Sequence, residues 1–254
     1  MLKKRIIPTL LYKDVGLVKG KNFDSSRRVG TPLPVIRIYN RRDVDEIILL
    51  DITATNTNKE PDYLAISEFA RDCSVPLTVG GGIHKDAHIS NLLKSGADKI
   101  SINTSALKDP DFVKYSSKKY GKQCIVGSID FKRHLDGKYY CYTNSGKNFN
   151  KIDPINFAKS LESYGVGELL ITSIDKDGTM DGYEEKIVKI ISKEVNIPVI
   201  VSGGAGKLDD FSKILLNTNV SAVAAASVFH FSEITPAEIR NHLRSKGLNV
   251  RKVL

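Results

Sequence analysis

The chain has 254 residues, 41% of them hydrophobic and 26% charged, a balance typical of a globular protein and a length that fits one α/β barrel or two ordinary domains. Its net charge of +9 comes from scattered basic residues without interleaved aromatics or tryptophan, which favours an anionic small substrate over a nucleic-acid partner. The three cysteines show no Cys-x-x-Cys spacing and no apolar run reaches membrane-spanning length, so we expect a cytoplasmic protein without disulfides, cofactor, zinc or membrane attachment.

Short runs rich in Ile, Val and Leu alternate along the chain with segments of helical length. The runs predict eight strands, at 5–11, 47–52, 76–79, 99–102, 124–130, 169–172, 198–201 and 222–226. The segments between and after them predict eight helices, near 32–43, 61–73, 86–95, 110–120, 153–164, 183–195, 207–217 and 236–246. Near-continuous apolar strands are typical of parallel sheets covered on both faces. Eight alternations favour a closed (β/α)8 barrel over an open doubly wound sheet.

The two halves of the chain repeat one another, which also favours closure. The motif Val-Gly-Gly-Gly-Ile at 79–83 is matched by Val-Ser-Gly-Gly-Ala at 201–205, and the segment 7–11 aligns with 126–130. No linker separates the halves, so we predict a single TIM barrel domain over 1–254, with half-barrels of about 1–122 and 123–254. The segments 12–31 and 131–152 follow the first and fifth strands, and are predicted to be irregular loops or lids at the C-terminal mouth.

Each half carries a glycine-rich turn at the end of a strand. Such a turn exposes backbone amides and permits the close approach that a phosphate needs, and the helix that begins after the next strand adds further donors. The predicted first cradle consists of Gly82, Asn103 and Thr104, and the second of Gly203, Gly204, Ala226 and Ser227. A tight turn without a ligand is the alternative for one such run. Two cradles on opposite sides of one mouth indicate a ligand with a phosphate at each end.

Seven motifs are similar to one protein family. The segments 4–8, 50–54, 78–84, 98–104, 172–179, 202–206 and 227–231 resemble the cyclase subunit of imidazole glycerol phosphate synthase, and the resemblance covers nearly the whole chain. It implies a (β/α)8 barrel that binds a bisphosphorylated ribulosyl-carboxamide ribotide and receives ammonia from a separate glutaminase subunit. The products are imidazole glycerol phosphate and an aminoimidazole carboxamide ribotide. The resemblance also assigns substrate contacts to Asp177, Gly178 and Lys19, with a solvated loop lysine as the alternative for Lys19.

In that family, aspartates at the ends of the first and fifth strands act as general acid and base. Asp130 matches the second, and a carboxylate that ends an apolar strand at the mouth fits proton transfer; capping of the following loop is the alternative. Leu11 stands at the first position and cannot exchange a proton, and Asp14 matches a different position of the family pattern. Barrels with this substitution look like the paralogues that occur with sugar amidotransferases of surface-polysaccharide synthesis, where they are thought to supply ammonia for converting an acetamido into an acetamidino sugar.

Four charged residues lie at or just before strand starts, namely Arg5, Glu46, Lys99 and Glu168. Strand starts converge on the N-terminal face of a barrel, so we expect these residues to form a neutral ring there. The resemblance identifies the ring as the gate of an ammonia tunnel and Asp98 as a contact to the glutaminase; a structural salt-bridge plug is the alternative. His84 and His88 are four residues apart but lack a third ligand, so we predict no metal site.

Three functions remain open at this point. The favoured one is an ammonia-channelling synthase subunit of the cyclase type, which works with a glutaminase on its N-terminal face, a phosphorylated substrate and a third, sugar-amidating protein. The second is the histidine-pathway cyclase itself, working with Asp130 alone or with Asp14. The third is a non-catalytic scaffold that only conducts ammonia.

Overall fold

The computed structural model describes residues 3–252, and these residues contain the predicted closed parallel barrel. Elements are numbered in chain order. The eight barrel strands are β1 (Arg5–Lys13), β4 (Ile47–Asp51), β5 (Leu77–Gly80), β6 (Lys99–Ile102), β7 (Ile125–Arg133), β10 (Glu168–Ser173), β11 (Val199–Ser202) and β12 (Ala222–Ala225). They pair in this order, and β12 pairs with β1 to close the ring. The (β/α)8 prediction is therefore confirmed.

The eight predicted helices are present, each with ends within two residues of the expected positions. They are α1 (Pro32–Arg41), α3 (Tyr63–Asp72), α4 (Asp86–Lys94), α6 (Pro110–Tyr120), α7 (Pro154–Ser163), α8 (Glu185–Glu194), α9 (Leu208–Asn217) and α11 (Pro236–Ser245). Three short helices were not predicted: α2 (Ala54–Thr57), α5 (Thr104–Lys108) and α10 (Ser227–Phe231). In the part of the chain that the structure describes, no helix has the length and hydropathy needed to cross a membrane.

Local sequence explains where the helices begin. Asp153 accepts hydrogen bonds from the amides of Ile155 and Asn156, at 2.7 and 3.0 Å, and proline occupies the first turn of α7. At α11, the side chains and amides of Thr235 and Glu238 bond reciprocally as a capping box. These contacts satisfy amides that the helix leaves without an intrahelical acceptor.

The hydrophobic residues form two layers, which explains why the barrel strands are apolar on both faces. The interior layer is a small cluster of side chains that point towards the barrel axis: Ile7, Ile48, Val126, Leu170, Ile200, Ala222 and Ala224. A much larger cluster lies between the outer faces of the strands and the helices. The middle of the barrel is thus filled with apolar side chains, which leaves the two ends of the barrel as places where polar side chains can form a site.

The predicted irregular loops after the first and fifth strands are wrong, because both segments form antiparallel hairpins. In the first half, β1 turns into β2 (Gly16–Lys21) and β3 (Asp24–Gly30); in the second, β7 turns into β8 (Tyr139–Thr143) and β9 (Asn148–Asn150). The physical reason is the length of β1 and β7, which are nine residues each and extend beyond the ends of their neighbours. Their exposed backbone groups are satisfied when the chain folds back and pairs with them.

Candidate active site

The C-terminal ends of the barrel strands and both hairpins enclose a cavity of about 790 Å³. Every predicted substrate-binding residue lines it: Lys19, Gly82, Asn103, Thr104, Asp177, Gly178, Gly203, Gly204, Ala226 and Ser227. Asp130 and Leu11 line the same cavity. The structure therefore brings the predicted mouth residues together in one site.

The two glycine turns require glycine for the same physical reason. Gly81 has a φ of +111° and Gly204 a φ of +116°, and a Cβ at either position would collide with a backbone carbonyl oxygen. The short helices α5 and α10 begin next to these turns, and no side chain caps their N-termini. Strands β5 and β6 lie diametrically opposite β11 and β12 in the ring. Amide donors are thus placed on opposite sides of the mouth, as a ligand with two phosphate groups requires.

Asp130 lies in the cavity wall at the level of Thr172 on the neighbouring strand. Its Oδ2 accepts a hydrogen bond from Nδ2 of Asn103 at 3.2 Å. Burial, with a smaller contribution from the negative charge of Asp177, raises the pKa of Asp130 to about 7. A carboxyl group that titrates near neutral pH can both accept and donate a proton. Among residues 3–252 no backbone amide donates to this carboxyl, which argues against the loop-capping alternative.

Lys19 is a buried strand residue, so both its predicted place in a loop and the solvated-lysine alternative are wrong. It lies in β2 and is 2% exposed, and its ammonium donates to the carbonyl oxygen of Thr9 at 3.1 Å. Burial lowers the pKa of Lys19 to about 8, against the attraction of Asp177. Asn22 fixes the hairpin over the mouth, because its backbone amide donates to the carbonyl oxygen of Asp177 at 2.9 Å.

The carboxyl group of Asp177 is close enough to Asp130 and to Lys19 for its charge to raise the pKa of each. Burial raises the pKa of its carboxyl, against the opposing effects of the Lys19 charge and the Phe23 amide. Gly178 follows with a φ of +71°, and a Cβ there would collide with the carbonyl oxygen of Gly20. This close contact between Gly178 and Gly20 of β2 holds the first hairpin, and with it Lys19, over the cavity.

Leu11 occupies the end of β1 level with Leu50 of β4, half-buried and facing the cavity. Asp14 is exposed in the turn that follows and has a φ of +55°. It lines a separate recess of about 370 Å³ rather than the mouth. The structure therefore does not bring Asp14 to Asp130, and the first-strand position carries no carboxyl group.

The four predicted gate residues form a closed ring of ion pairs at the N-terminal end of the barrel. Nζ of Lys99 lies 2.9 Å from Oε2 of Glu46 and 2.9 Å from Oε2 of Glu168. Nη1 of Arg5 lies 2.9 Å from Oε2 of Glu46, and Nη2 pairs with Glu168. Thr78 donates to Oε1 of Glu46 at 2.7 Å. Burial by itself would lower the pKa of Arg5, but its hydrogen bonds to and charge interactions with Glu168 and Glu46 raise it.

The mouth cavity reaches close to this ring. Ser101 lines the cavity and lies two residues beyond Lys99 on β6, a separation of about 7 Å along a strand. Asp98 is exposed beside the ring, and its Oδ2 accepts a hydrogen bond from the amide of Leu77 at 2.8 Å. The geometry fits both a gate and a structural plug.

Two parts of the site were missed by sequence reasoning. The turn between β8 and β9 contributes Asn144, Ser145 and Lys147 to the cavity wall. Asp51 also lines it, with Oδ1 accepting from the amides of Thr53 and Ala54 at 2.8 and 3.0 Å. Asp51 is the last residue of the apolar strand β4, and Asp130 lies near the end of β7. A carboxylate at or near the end of an apolar strand was therefore a sequence signal that could have identified Asp51.

Known proteins match essentially the whole chain. The family model for histidine biosynthesis proteins matches residues 5–235. The chain is 45% identical over 253 residues to the imidazole glycerol phosphate synthase subunit HisF of Endomicrobium trichonymphae, covering 100% of this chain and 97% of that protein. It is 43% identical to HisF of Limosilactobacillus fermentum, over 99% of this chain and 97% of that protein. It is also 43% identical to HisF of Hydrogenobaculum sp. strain Y04AAS1, over 99% of this chain and 100% of that protein. The chain therefore belongs to the HisF family of imidazole glycerol phosphate synthase subunits, a family of lyase-type cyclase subunits.

Proposed function

We propose that the chain is a HisF-type subunit whose ammonia acceptor is an acetamido sugar rather than the intermediate of histidine biosynthesis. The observation that carries the proposal is that the end of β1 has no carboxyl group facing the cavity, whereas the equivalent position on β7 carries Asp130. Asp130 is retained with a pKa near 7, whereas the end of β1 presents Leu11. A cyclisation that needs both a general acid and a general base loses one of them here.

Ligand binding is supported by the two cradles on opposite sides of the cavity. Each has a glycine turn with positive φ beside the start of a short helix, an arrangement that would suit a phosphate. The subunit therefore binds a phosphorylated acceptor in the mouth.

Ammonia delivery is supported by the floor of the barrel. The ring of Arg5, Glu46, Lys99 and Glu168 closes the N-terminal end of the barrel, and the cavity ends about two residues above it. The named relatives are subunits of a synthase. A glutaminase bound at the N-terminal face, with Asp98 at the contact, would supply ammonia to the ring. Opening requires one of the ion pairs to separate.

In the mouth, Asp130 accepts a proton from the attacking nitrogen. Its pKa near 7 suits this step at physiological pH. Exchange of an amide oxygen for nitrogen also requires that oxygen to be activated as a leaving group. We assign this activation to the third, sugar-amidating protein, which would phosphorylate the amide oxygen with a nucleoside triphosphate so that it leaves as phosphate when ammonia adds.

Histidine-pathway cyclisation is the second candidate, favoured by the 45% identity to a protein named for that synthase and by the intact cradles. Complementation of a cyclase-deficient histidine auxotroph distinguishes the two. We expect no growth, and we expect purified protein with ammonium salt not to cyclise the histidine intermediate. Growth together with robust cyclisation would establish the second candidate instead.

A conducting scaffold differs from a catalyst in its need for Asp130. In a reconstituted system of barrel, glutaminase and sugar-amidating protein, we expect Asp130→Asn to abolish amidine formation while glutamine hydrolysis continues. Undiminished amidine formation by that variant would identify the barrel as a conduit.

A further inference from the structure

The turn between β8 and β9 is fixed to the first half of the barrel, although it belongs to the second. The hydroxyl of Ser145 donates to the carbonyl oxygen of Ile52 at 2.7 Å, and the backbone amide of Asn144 donates to Oγ1 of Thr104 at 3.0 Å. Ile52 and Thr104 follow β4 and β6, whereas the turn follows β7 in the chain. All four residues line the mouth cavity, so the two halves are joined here at its wall.

A series of hydrogen bonds continues from Thr104 to Asp130. The hydroxyl of Thr104 donates to Oδ1 of Asn103, and the 3.4 Å between the two oxygens is the longest distance in the series. Nδ2 of Asn103 lies 3.2 Å from Oδ2 of Asp130 and 3.2 Å from the carbonyl oxygen of Ser128. A carbonyl oxygen can only accept a hydrogen bond, so the amide nitrogen of Asn103 is the atom that faces Ser128 and Asp130.

These bonds use the polar atoms of the Asn103 side chain. Its nitrogen has two hydrogens and two acceptors, and its oxygen accepts from Thr104. Asn103 was predicted from the sequence to contact a phosphate. A phosphate in the first cradle would have to be bound by the backbone amide of Asn103, because the side-chain donors are already paired.

The surroundings of Asp130 otherwise oppose its ionisation. Burial, and less strongly the charge of Asp177, raise the pKa of its carboxyl. Burial, with smaller effects of Asp153 and Asp130, raises the pKa of the Cys141 thiol on β8, which therefore stays neutral. Among the described residues, Asn103 alone donates a hydrogen bond to the Asp130 carboxyl group. A hydrogen bond donated to a carboxylate favours its charged form.

We propose that Thr104 and the β8–β9 turn are positioning residues for Asp130, because they hold the Asn103 amide with its nitrogen towards the carboxyl group. Without the Thr104 hydroxyl, Asn103 could turn its oxygen towards Asp130. That oxygen would accept a hydrogen bond from the protonated carboxyl group and favour the neutral form, which cannot act as a base. The inference rests on the proposed function only in assigning proton transfer to Asp130.

The test is a pH titration of Asp130 in the whole chain by carbon-13 NMR, with the aspartate carboxyl carbons labelled. The resonance of Asp130 is identified by its absence in Asp130→Asn. Thr104→Val keeps the shape of the side chain but removes the hydroxyl, so the pKa of Asp130 should rise. We expect the ionised fraction of Asp130 at pH 6 to fall about fivefold. Thr104→Ser retains the hydroxyl and should restore that fraction.

Thr143→Val is the matched control. It removes a buried hydroxyl of the same hairpin, which accepts from Nδ2 of Asn150 at 3.0 Å and has no link to Asn103. The ionised fraction of Asp130 should not change in this variant. If Thr104→Val fails to fold, Ser145→Ala decides, since it frees the turn from Ile52 and should lower the ionised fraction about twofold.

The proposal is overturned if folded Thr104→Val ionises as the unaltered chain does, or if Thr143→Val changes the ionised fraction as much. Failure of Thr104→Ser to restore ionisation would also overturn it, because the methyl group would then be responsible. In the reconstituted complex, the kcat of Thr104→Val should fall more at pH 6 than at pH 9, whereas a loss of binding alone would raise KM at both. Amidine formation by Asp130→Asn refutes the proposed function but leaves the NMR result of this inference standing.

Discussion

The ends of β1 and β7 occupy equivalent places in the two halves of the barrel, and both strands continue into an antiparallel hairpin. Their chemistry differs. At the end of β1 the cavity receives Leu11, and the hairpin adds the buried cation Lys19. At the end of β7 the cavity is lined by Asp130, and the hairpin adds Asn144 and Ser145 from its β8–β9 turn. The two halves share the scaffold and the glycine turns, whereas of these two strand ends only that of β7 carries a carboxyl group facing the cavity.

The two ends of the barrel show a second contrast. At the floor, every charge of the ring has an oppositely charged partner within hydrogen-bond distance. At the mouth, burial raises the pKa values of both Asp130 and Asp177, and the negative charge of Asp177 raises that of Asp130 further. Ion pairs stabilise a closed arrangement, whereas a buried carboxyl group with a raised pKa can exchange a proton near neutral pH.

Removing the acid of the second half should have the largest effect. Asp130→Asn keeps the size of the side chain but eliminates proton transfer, so we expect ammonia-dependent turnover to fall about 1,000-fold. Leu11→Asn is the matched change in the first half, and should alter turnover little. Steady-state assays of both variants in the reconstituted complex measure the contrast. Equal losses in the two variants would mean that the halves do not differ in catalysis.

Making the halves alike is the converse experiment. Leu11→Asp places a carboxyl group at the end of β1, at the position equivalent to Asp130, and we expect cyclisation of the histidine intermediate with ammonium salt to rise about 100-fold over the unaltered chain. Leu11→Asn provides the control for polarity and size. If Leu11→Asp stays inactive while folded, other residues of the cavity also exclude that reaction.

Breaking the ring at the floor should affect stability and ammonia transfer. Lys99→Met leaves Glu46 and Glu168 paired with Arg5 alone, so we expect a loss of about 2 kcal/mol in the free energy of unfolding. Lys94→Met changes an exposed lysine in the last turn of α4 and serves as control. Urea unfolding measures the loss. A gate also predicts that turnover with glutamine changes relative to turnover with ammonium salt, whereas a plug predicts an unchanged ratio.

The raised pKa of Asp130 predicts a smaller, pH-dependent effect on stability. The folded chain retains this proton up to about pH 7, whereas the unfolded carboxyl loses it near pH 4. The contribution of Asp130 to stability therefore falls as pH rises from 4 to 7. Asp130→Asn should be more stable than the unaltered chain at pH 8 by about 1–2 kcal/mol, and similar near pH 4. Urea unfolding at both pH values tests this; a less stable variant at pH 8 would contradict it.

The sequence by itself determined the barrel architecture and, for the eight predicted helices, the ends to within two residues. Continuous apolar runs separated by amphipathic segments identify strands that are covered on both faces, and this pattern depends on local composition alone. It also placed Asp130 at a strand end, Arg5 and Lys99 at strand starts, and glycines where only glycine fits. Topology then dictates that strand ends meet at the mouth and strand starts at the floor.

Only the tertiary structure decided the hairpins and what they bring to the mouth. The segments after β1 and β7 lack a strong apolar pattern, because their strands form on backbone groups that longer barrel strands leave unpaired. Three features follow from how these hairpins fold back. Lys19 is buried, Asp14 lies outside the mouth cavity, and Phe149 lies on the same side of the second hairpin as Asp130. Burial also sets the pKa values of Lys19 and Asp130, since desolvation depends on neighbours that are remote in the chain.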